Sequence, residues 1–90
     1  MTQGSEHDAR QIEDWLIDRI ATEVDTQPDS LPLDRSFFEL GLNSLNTLVI
    51  SGDLAEFLRM QQLEPSLFWD YPTISKLAEH LASLPAVQSA

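Results

Sequence analysis

Phe37-Phe38-Glu39-Leu40-Gly41-Leu42-Asn43-Ser44-Leu45 is the stretch in which a proline-marked connection gives way to a helix, and the rest of the chain is read outward from it. Gly41 permits a sharp turn. Asn43 and Ser44 are both residue types that cap a helix by offering a side-chain oxygen to unpaired backbone N–H groups. A helix is expected to begin at one or the other and to run to about Met60, with Ile50, Leu54, Phe57 and Leu58 facing inward. Gly52 weakens that helix by roughly 1 kcal/mol relative to alanine. Either a neighbouring helix approaches closely there or the cost is tolerated.

Upstream of the turn, residues 25–43 hold Pro28, Pro32, several aspartates and scattered apolar residues, a connection long enough to carry function or short structure of its own. Within it, Ser36-Phe37-Phe38-Glu39 has capping-box spacing, so one helical turn pins Phe37 or Phe38 to the core. Before it, Ile12, Leu16, Ile20 and Val24 form an i, i+4 ladder joined by Trp15, which predicts a first helix capped by Asp8. Gln27-Pro28 is expected to stop that helix, because proline has no N–H to donate.

Downstream, Pro65-Ser66 opens a short turn, Leu67-Phe68-Trp69-Asp70-Tyr71, that is too brief to stand without packing. Pro72 ends it. Thr73 then caps a last helix with Ile74, Leu77, Ala78, Leu81 and Leu84 at three- and four-residue spacing. The expected fold is all-α, a four-helix bundle of three long helices and one short helix. Residues 1–7 read as a flexible tail, 8–84 as the domain and 85–90 as a tail or linker.

Composition narrows the function. Ninety residues make one domain that buries roughly 60 to 65% of its unfolded surface, too little for an enclosed substrate pocket. The absence of cysteine excludes disulfides, thiolate metal sites and thiol nucleophiles. Met1 to Arg10 lacks the apolar run of a signal peptide, and no stretch approaches the roughly 20 apolar residues of a membrane span, so a cytoplasmic protein without membrane partners is expected. A net charge of −10 repels phosphate backbones and argues against nucleic acid. Partners should carry basic patches, although acidity also serves solubility alone. His7 and His80 have no metal-ligand spacing and are expected in solvent. Trp69 and Tyr71 read as core packing rather than an aromatic ligand box.

Ser44 has two readings: a simple N-cap, or a modified residue. A phosphate ester on the first turn would face unpaired backbone N–H groups and the positive end of the helix dipole, a setting worth about 0.3 to 1 kcal/mol. The chain resembles the acyl carrier domains of polyketide synthases and fatty-acid synthesis. Their attachment motif, commonly Gly-x-Asp-Ser-Leu, stands here as Gly41-Leu42-Asn43-Ser44-Leu45. The Phe-x-x-Leu-Gly lead-in is Phe37-Phe38-Glu39-Leu40-Gly41. A later Tyr-Pro-Thr-Ile is Tyr71-Pro72-Thr73-Ile74, followed by Leu77-Ala78-Glu79-His80-Leu81. The resemblance spans Ile12 to Leu84.

This resemblance implies that Ser44 bears 4′-phosphopantetheine, derived from coenzyme A, whose thiol holds acyl groups as thioesters; the protein supplies attachment, reach and recognition rather than catalysis. It also implies partners: a phosphopantetheinyl transferase, an acyl-loading enzyme (an acyl-AMP ligase or an acyltransferase), and the ketosynthase and other synthase domains. The carrier is expected to act as a monomer. Recognition in the family centres on the loop before the serine and the exposed face of the next helix, which nominates Leu42, Asn43, Leu45, Asn46, Val49, Asp53 and Glu56 as contacts. Val49 lies off the inward ladder and is either exposed for a partner or packed. Asn43 departs from the usual aspartate, removing a charge while keeping the cap.

Other readings stand beside this one. A hydrolase nucleophile at Ser44 fails because Leu42 and Asn46 break the Gly-x-Ser-x-Gly elbow and no strand precedes the serine. An unmodified acidic interaction module would use Ser44 only as a cap. A peptidyl carrier of nonribosomal synthesis shares the fold and prosthetic group; the Asp70-Tyr71-Pro72-Thr73 segment and the acidity favour the acyl branch. The strings Leu48-Val49-Ile50-Ser51-Gly52-Asp53-Leu54 and Ser66-Leu67-Phe68-Trp69-Asp70-Tyr71-Pro72 look like carriers that sit beside fatty-acyl-AMP ligases.

Overall fold

The computed structural model describes residues 8–84; the two predicted tails, 1–7 and 85–90, lie outside the described residues. Helix α1 spans Ala9–Glu23. Asp8 caps it as expected, accepting from the Gln11 N–H at 2.9 Å while the Gln11 side chain accepts from the Asp8 N–H at 3.3 Å. Ile12, Leu16 and Ile20 are wholly buried, whereas Val24 and Trp15 are half-buried at the edge of the core.

The stop comes before Gln27-Pro28. Asp25 takes φ 58° and the Thr26 N–H donates to the Ala21 carbonyl at 2.9 Å, so a left-handed residue closes the last turn before proline is reached. Pro28 instead opens a single 3₁₀ turn, Pro28–Ser30.

The connection that follows is organised by the predicted capping box. Glu39 N–H donates to Ser36 Oγ at 3.1 Å and Ser36 N–H to Glu39 Oε1 at 3.0 Å. The segment forms consecutive turns rather than a regular helix, and Phe37 is the aromatic it buries. Phe37 N–H donates to the Pro72 carbonyl at 2.8 Å, beside an isolated bridge between Ser36 and Thr73, so the loop is tied to the start of the last helix.

Helix α2 spans Ser44–Leu58 and α3 Leu67–Asp70. Helix α4 spans Ile74–Ala82, capped by Thr73, whose Oγ1 accepts from the Lys76 N–H at 3.2 Å. Helix α2 ends two residues short of Met60, because Arg59 adopts φ 60° and Met60 N–H turns back to the Ala55 carbonyl at 2.8 Å. A Cβ on Gly52 would meet nothing within 4 Å, so no helix approaches there and the propensity cost is tolerated. Phe57 is only half-buried and stacks on Trp15 at 5.4 Å.

Helices α1 and α2 run antiparallel, matched by three contacts in order: Glu23 with Asn46, Arg19 with Asp53, and Trp15 with Phe57. Helix α1 also packs along α4. Between them lies a core of Ile12, Leu16, Ile50, Leu54, Leu77 and Leu81 with Phe37 and Phe68, whose rings meet edge to face at 4.8 Å. Three longer helices and one of four residues make the expected all-α bundle.

Two expectations need correction. Trp69 is 45% exposed and not in the core, because a four-residue helix presents one inward face and Phe68 fills it. Tyr71 does pack against the core, half-buried, but it also stacks on His80 at 4.0 Å, so His80 is partly covered instead of standing free in solvent. No helix among the described residues is long and apolar enough to cross a membrane.

Candidate functional site

The start of α2 is built by asparagines. Asn43 Oδ1 accepts from the Asn46 N–H at 2.9 Å, and Asn46 Oδ1 accepts from the Asn43 N–H at 3.1 Å, a reciprocal box that fixes where the helix begins. Asn46 Nδ2 donates to Glu23 Oε1 at 3.1 Å, and Glu23 in turn lies 3.6 Å from Arg19, which also pairs with Asp53. This chain of polar contacts locks the first turn of α2 to the last turn of α1. Asn43, not Ser44, is the cap, which leaves the serine free.

Ser44 is the first residue of α2 and is exposed. Its hydroxyl makes no hydrogen bond among the described residues, and neither do the backbone N–H groups of Ser44 and Leu45. These are the orphan donors of a helix N-terminus, and with the helix dipole they favour an anion attached at that hydroxyl. None of four surface grooves of about 260 to 480 Å³ counts Ser44 among its walls, so the serine stands on open surface.

The turn before it is set by Gly41 at φ 109°, with Gly41 N–H bonded to the Phe38 carbonyl at 3.0 Å and Leu42 N–H to the Phe37 carbonyl at 3.1 Å. That turn drives Leu42 into the core, where it is 3% exposed. Leu42 is therefore corrected from partner contact to core residue. Glu39, in the same loop, has its carboxyl held below its ordinary value, first by the Ser36 backbone N–H; partial desolvation opposes this, and Arg35 and the Ser36 hydroxyl add to it.

The other nominated residues fall into two groups. Leu45 and Val49 are exposed, at 67% and 47%, and Glu56 is exposed on the same stripe of α2. Asn46 and Asp53 are partly covered and already engaged with Glu23 and Arg19. Leu48, Phe38 and Trp69, 55%, 43% and 45% exposed, extend the apolar surface and escaped the sequence reading. For Leu48 a signal existed: it shares the 45, 48, 49, 52, 56 spacing opposite the inward ladder. For Phe38 and Trp69 the sequence carried none, since their stacked pairing at 4.3 Å is tertiary.

The family model described as the phosphopantetheine attachment site matches residues 14–81. One of the phenolphthiocerol/phthiocerol polyketide synthase proteins of Mycobacterium tuberculosis is 38% identical over 80 residues, covering 89% of this chain and 4% of that protein. The chain thus spans a small fraction of the polyketide synthase it matches. Among solved structures, a free-standing peptidyl carrier protein from Acinetobacter baumannii is similar at TM-score 0.79 and 38% identity, covering 84% of this chain and 94% of that one. An acyl carrier protein from Anabaena with a variant phosphopantetheinylation-site sequence is similar at TM-score 0.78 and 35% identity, covering 91% and 92%. Because the family match runs through the loop, the exposed serine and all of α2 and α3, this chain belongs to the phosphopantetheine attachment site family: it is a carrier domain, not an enzyme, and the group such a domain bears is covalent 4′-phosphopantetheine.

Proposed function

We propose that Ser44 is the attachment residue and that the arm it bears carries acyl intermediates of a polyketide-type synthase. The observation that carries this is the exposed Ser44 hydroxyl, without a hydrogen bond among the described residues, beside two backbone N–H groups that find no acceptor among them. In the modification, Ser44 Oγ attacks the phosphorus of coenzyme A that bears the pantetheine. A serine phosphate ester forms, the diphosphate bond breaks, and adenosine 3′,5′-bisphosphate leaves with the electron pair. The serine proton passes to a base on the transferase. When bound, the group supplies a thiol for thioester formation, which this cysteine-free chain cannot. The chain's own residues orient and solvate: Asn43 and Asn46 hold the first turn, and the Ser44 and Leu45 N–H groups would be the donors available to the phosphate.

Asn43 in place of the family's usual aspartate is compatible with this role, because the capping bonds are made by its amide oxygen. The polyketide relatives support an acyl cargo, and the reading extends to a monomeric cytoplasmic carrier served by a transferase, an acyl-AMP ligase or acyltransferase, and a ketosynthase. The likeness to a peptidyl carrier protein supports a second reading with aminoacyl cargo. Incubation with coenzyme A and a broad-specificity transferase should add one phosphopantetheine to the intact mass of the wild type and none to Ser44→Ala. Loading the product with acyl against aminoacyl adenylates then separates the two cargoes. A wild type that gains no mass contradicts the proposal.

A further inference from the structure

Single exposed apolar side chains are ordinary, but the large ones exposed among the described residues fall in the loop before Ser44, on the first turns of α2 and on α3. Phe38 lies in the turn before Ser44, while Leu45, Leu48 and Val49 follow it on the outward face of α2. Trp69, on α3, is remote in sequence but stacks on Phe38 with centroids 4.3 Å apart and planes 7° from parallel. Their chain neighbours Phe37 and Phe68 form the other layer, wholly buried and edge to face. The junction of loop and α3 therefore has a dry inner aromatic pair that holds the fold and a wet outer pair that the core does not need. Contiguous exposed apolar surface marks interaction sites, and aromatic side chains are enriched among the anchors of interfaces.

The occupant follows from charge and position, resting on the reading of Ser44 as the attachment residue. An enzyme that delivers coenzyme A must bind several phosphates and so presents basic groups around its acceptor site. The chain it meets here carries a net charge of −10, and Asp70, next to Trp69 in the chain, is exposed and in no ion pair among the described residues. We propose that the Phe38–Trp69 pair is the aromatic anchor on which the phosphopantetheinyl transferase docks while it modifies Ser44. The acidic charge steers the approach and the stacked rings hold the complex.

The test uses apo protein, coenzyme A and a broad-specificity transferase. Trp69→Ala and Phe38→Ala should each raise KM for the carrier about 10-fold, the scale of losing an interface anchor, with kcat little changed. Trp69→Phe should restore most of the loss. In ¹⁵N-labelled Ser44→Ala protein titrated with unlabelled transferase, the Trp69 indole N–H should shift or broaden while that of Trp15 stays in place, since Trp15 packs on Phe57 at the far end of α2. This signal does not depend on whether the alanine variants remain stable. An unchanged KM in Trp69→Ala, or an unperturbed Trp69 indole, overturns the anchor while leaving Ser44 attachment intact. Failure of wild-type Ser44 to be modified in the same assay instead sinks the attachment reading.

Discussion

At Gly41 the backbone takes φ 109°, and an added Cβ would come within 3.3 Å of Val24 Cγ1. Both effects act on the turn that delivers Ser44 to the surface. Gly41→Ala should lower stability by about 1 to 3 kcal/mol, measured by urea denaturation, and slow phosphopantetheine transfer through the displaced helix start. Unchanged stability would mean that the turn relaxes freely. Much of this residue-level picture was legible in the sequence, because the turn glycine, the two capping candidates and the serine announce themselves by type. Which asparagine or serine caps was not legible, since either can; the reciprocal bonds of Asn43 and Asn46 decide it. Leu42 was misread for a related reason: a residue between a glycine turn and a cap points wherever the turn sends it, and here that is inward. As a cap, Asn43 forgoes the charge–dipole interaction of an aspartate, worth about 0.3 to 1 kcal/mol, and keeps the hydrogen bond.

Among the elements, the loop before α2 is held by the Ser36–Glu39 box and by its ties to Pro72 and Thr73. Because the Ser36 N–H stabilises the ionised Glu39, the folded-state value lies below the ordinary 4.5, and the box is fully formed above that value. Its stabilisation is lost as pH falls through the lowered Glu39 value. The Ser36 amide shift, followed by NMR, should titrate with a midpoint below 4.5 and stop titrating in Glu39→Gln; a midpoint at or above 4.5 contradicts the box. Helix existence was readable from apolar spacing, but helix ends were not. Both α1 and α2 stop at non-glycine residues in the left-handed region, Asp25 and Arg59; aspartate tolerates that conformation but is common elsewhere, and arginine carries no signal for it. Pro28 was a visible breaker that the chain never needed for the purpose.

Over the whole molecule, polar contacts bind α1 to α2 at the Ser44 end and an aromatic stack binds them at the other. The buried layer was legible because its residues recur with helical period. The outer layer was not, since Phe38 and Trp69 lie far apart in sequence and aromatic residues in a small domain are assigned to the core by default. The result is an acidic bundle in which Leu45, Leu48 and Val49 are exposed on α2 close to Ser44, a serine without a hydrogen bond among the described residues. Every role given to that end of the molecule requires Ser44 to be the residue that takes the prosthetic group. Peptide mapping by mass spectrometry, after coexpression with a phosphopantetheinyl transferase, tests this directly. The modification should be found on the fragment containing Ser44 and on no other serine; an unmodified Ser44, or a phosphopantetheine on a different residue, would contradict it.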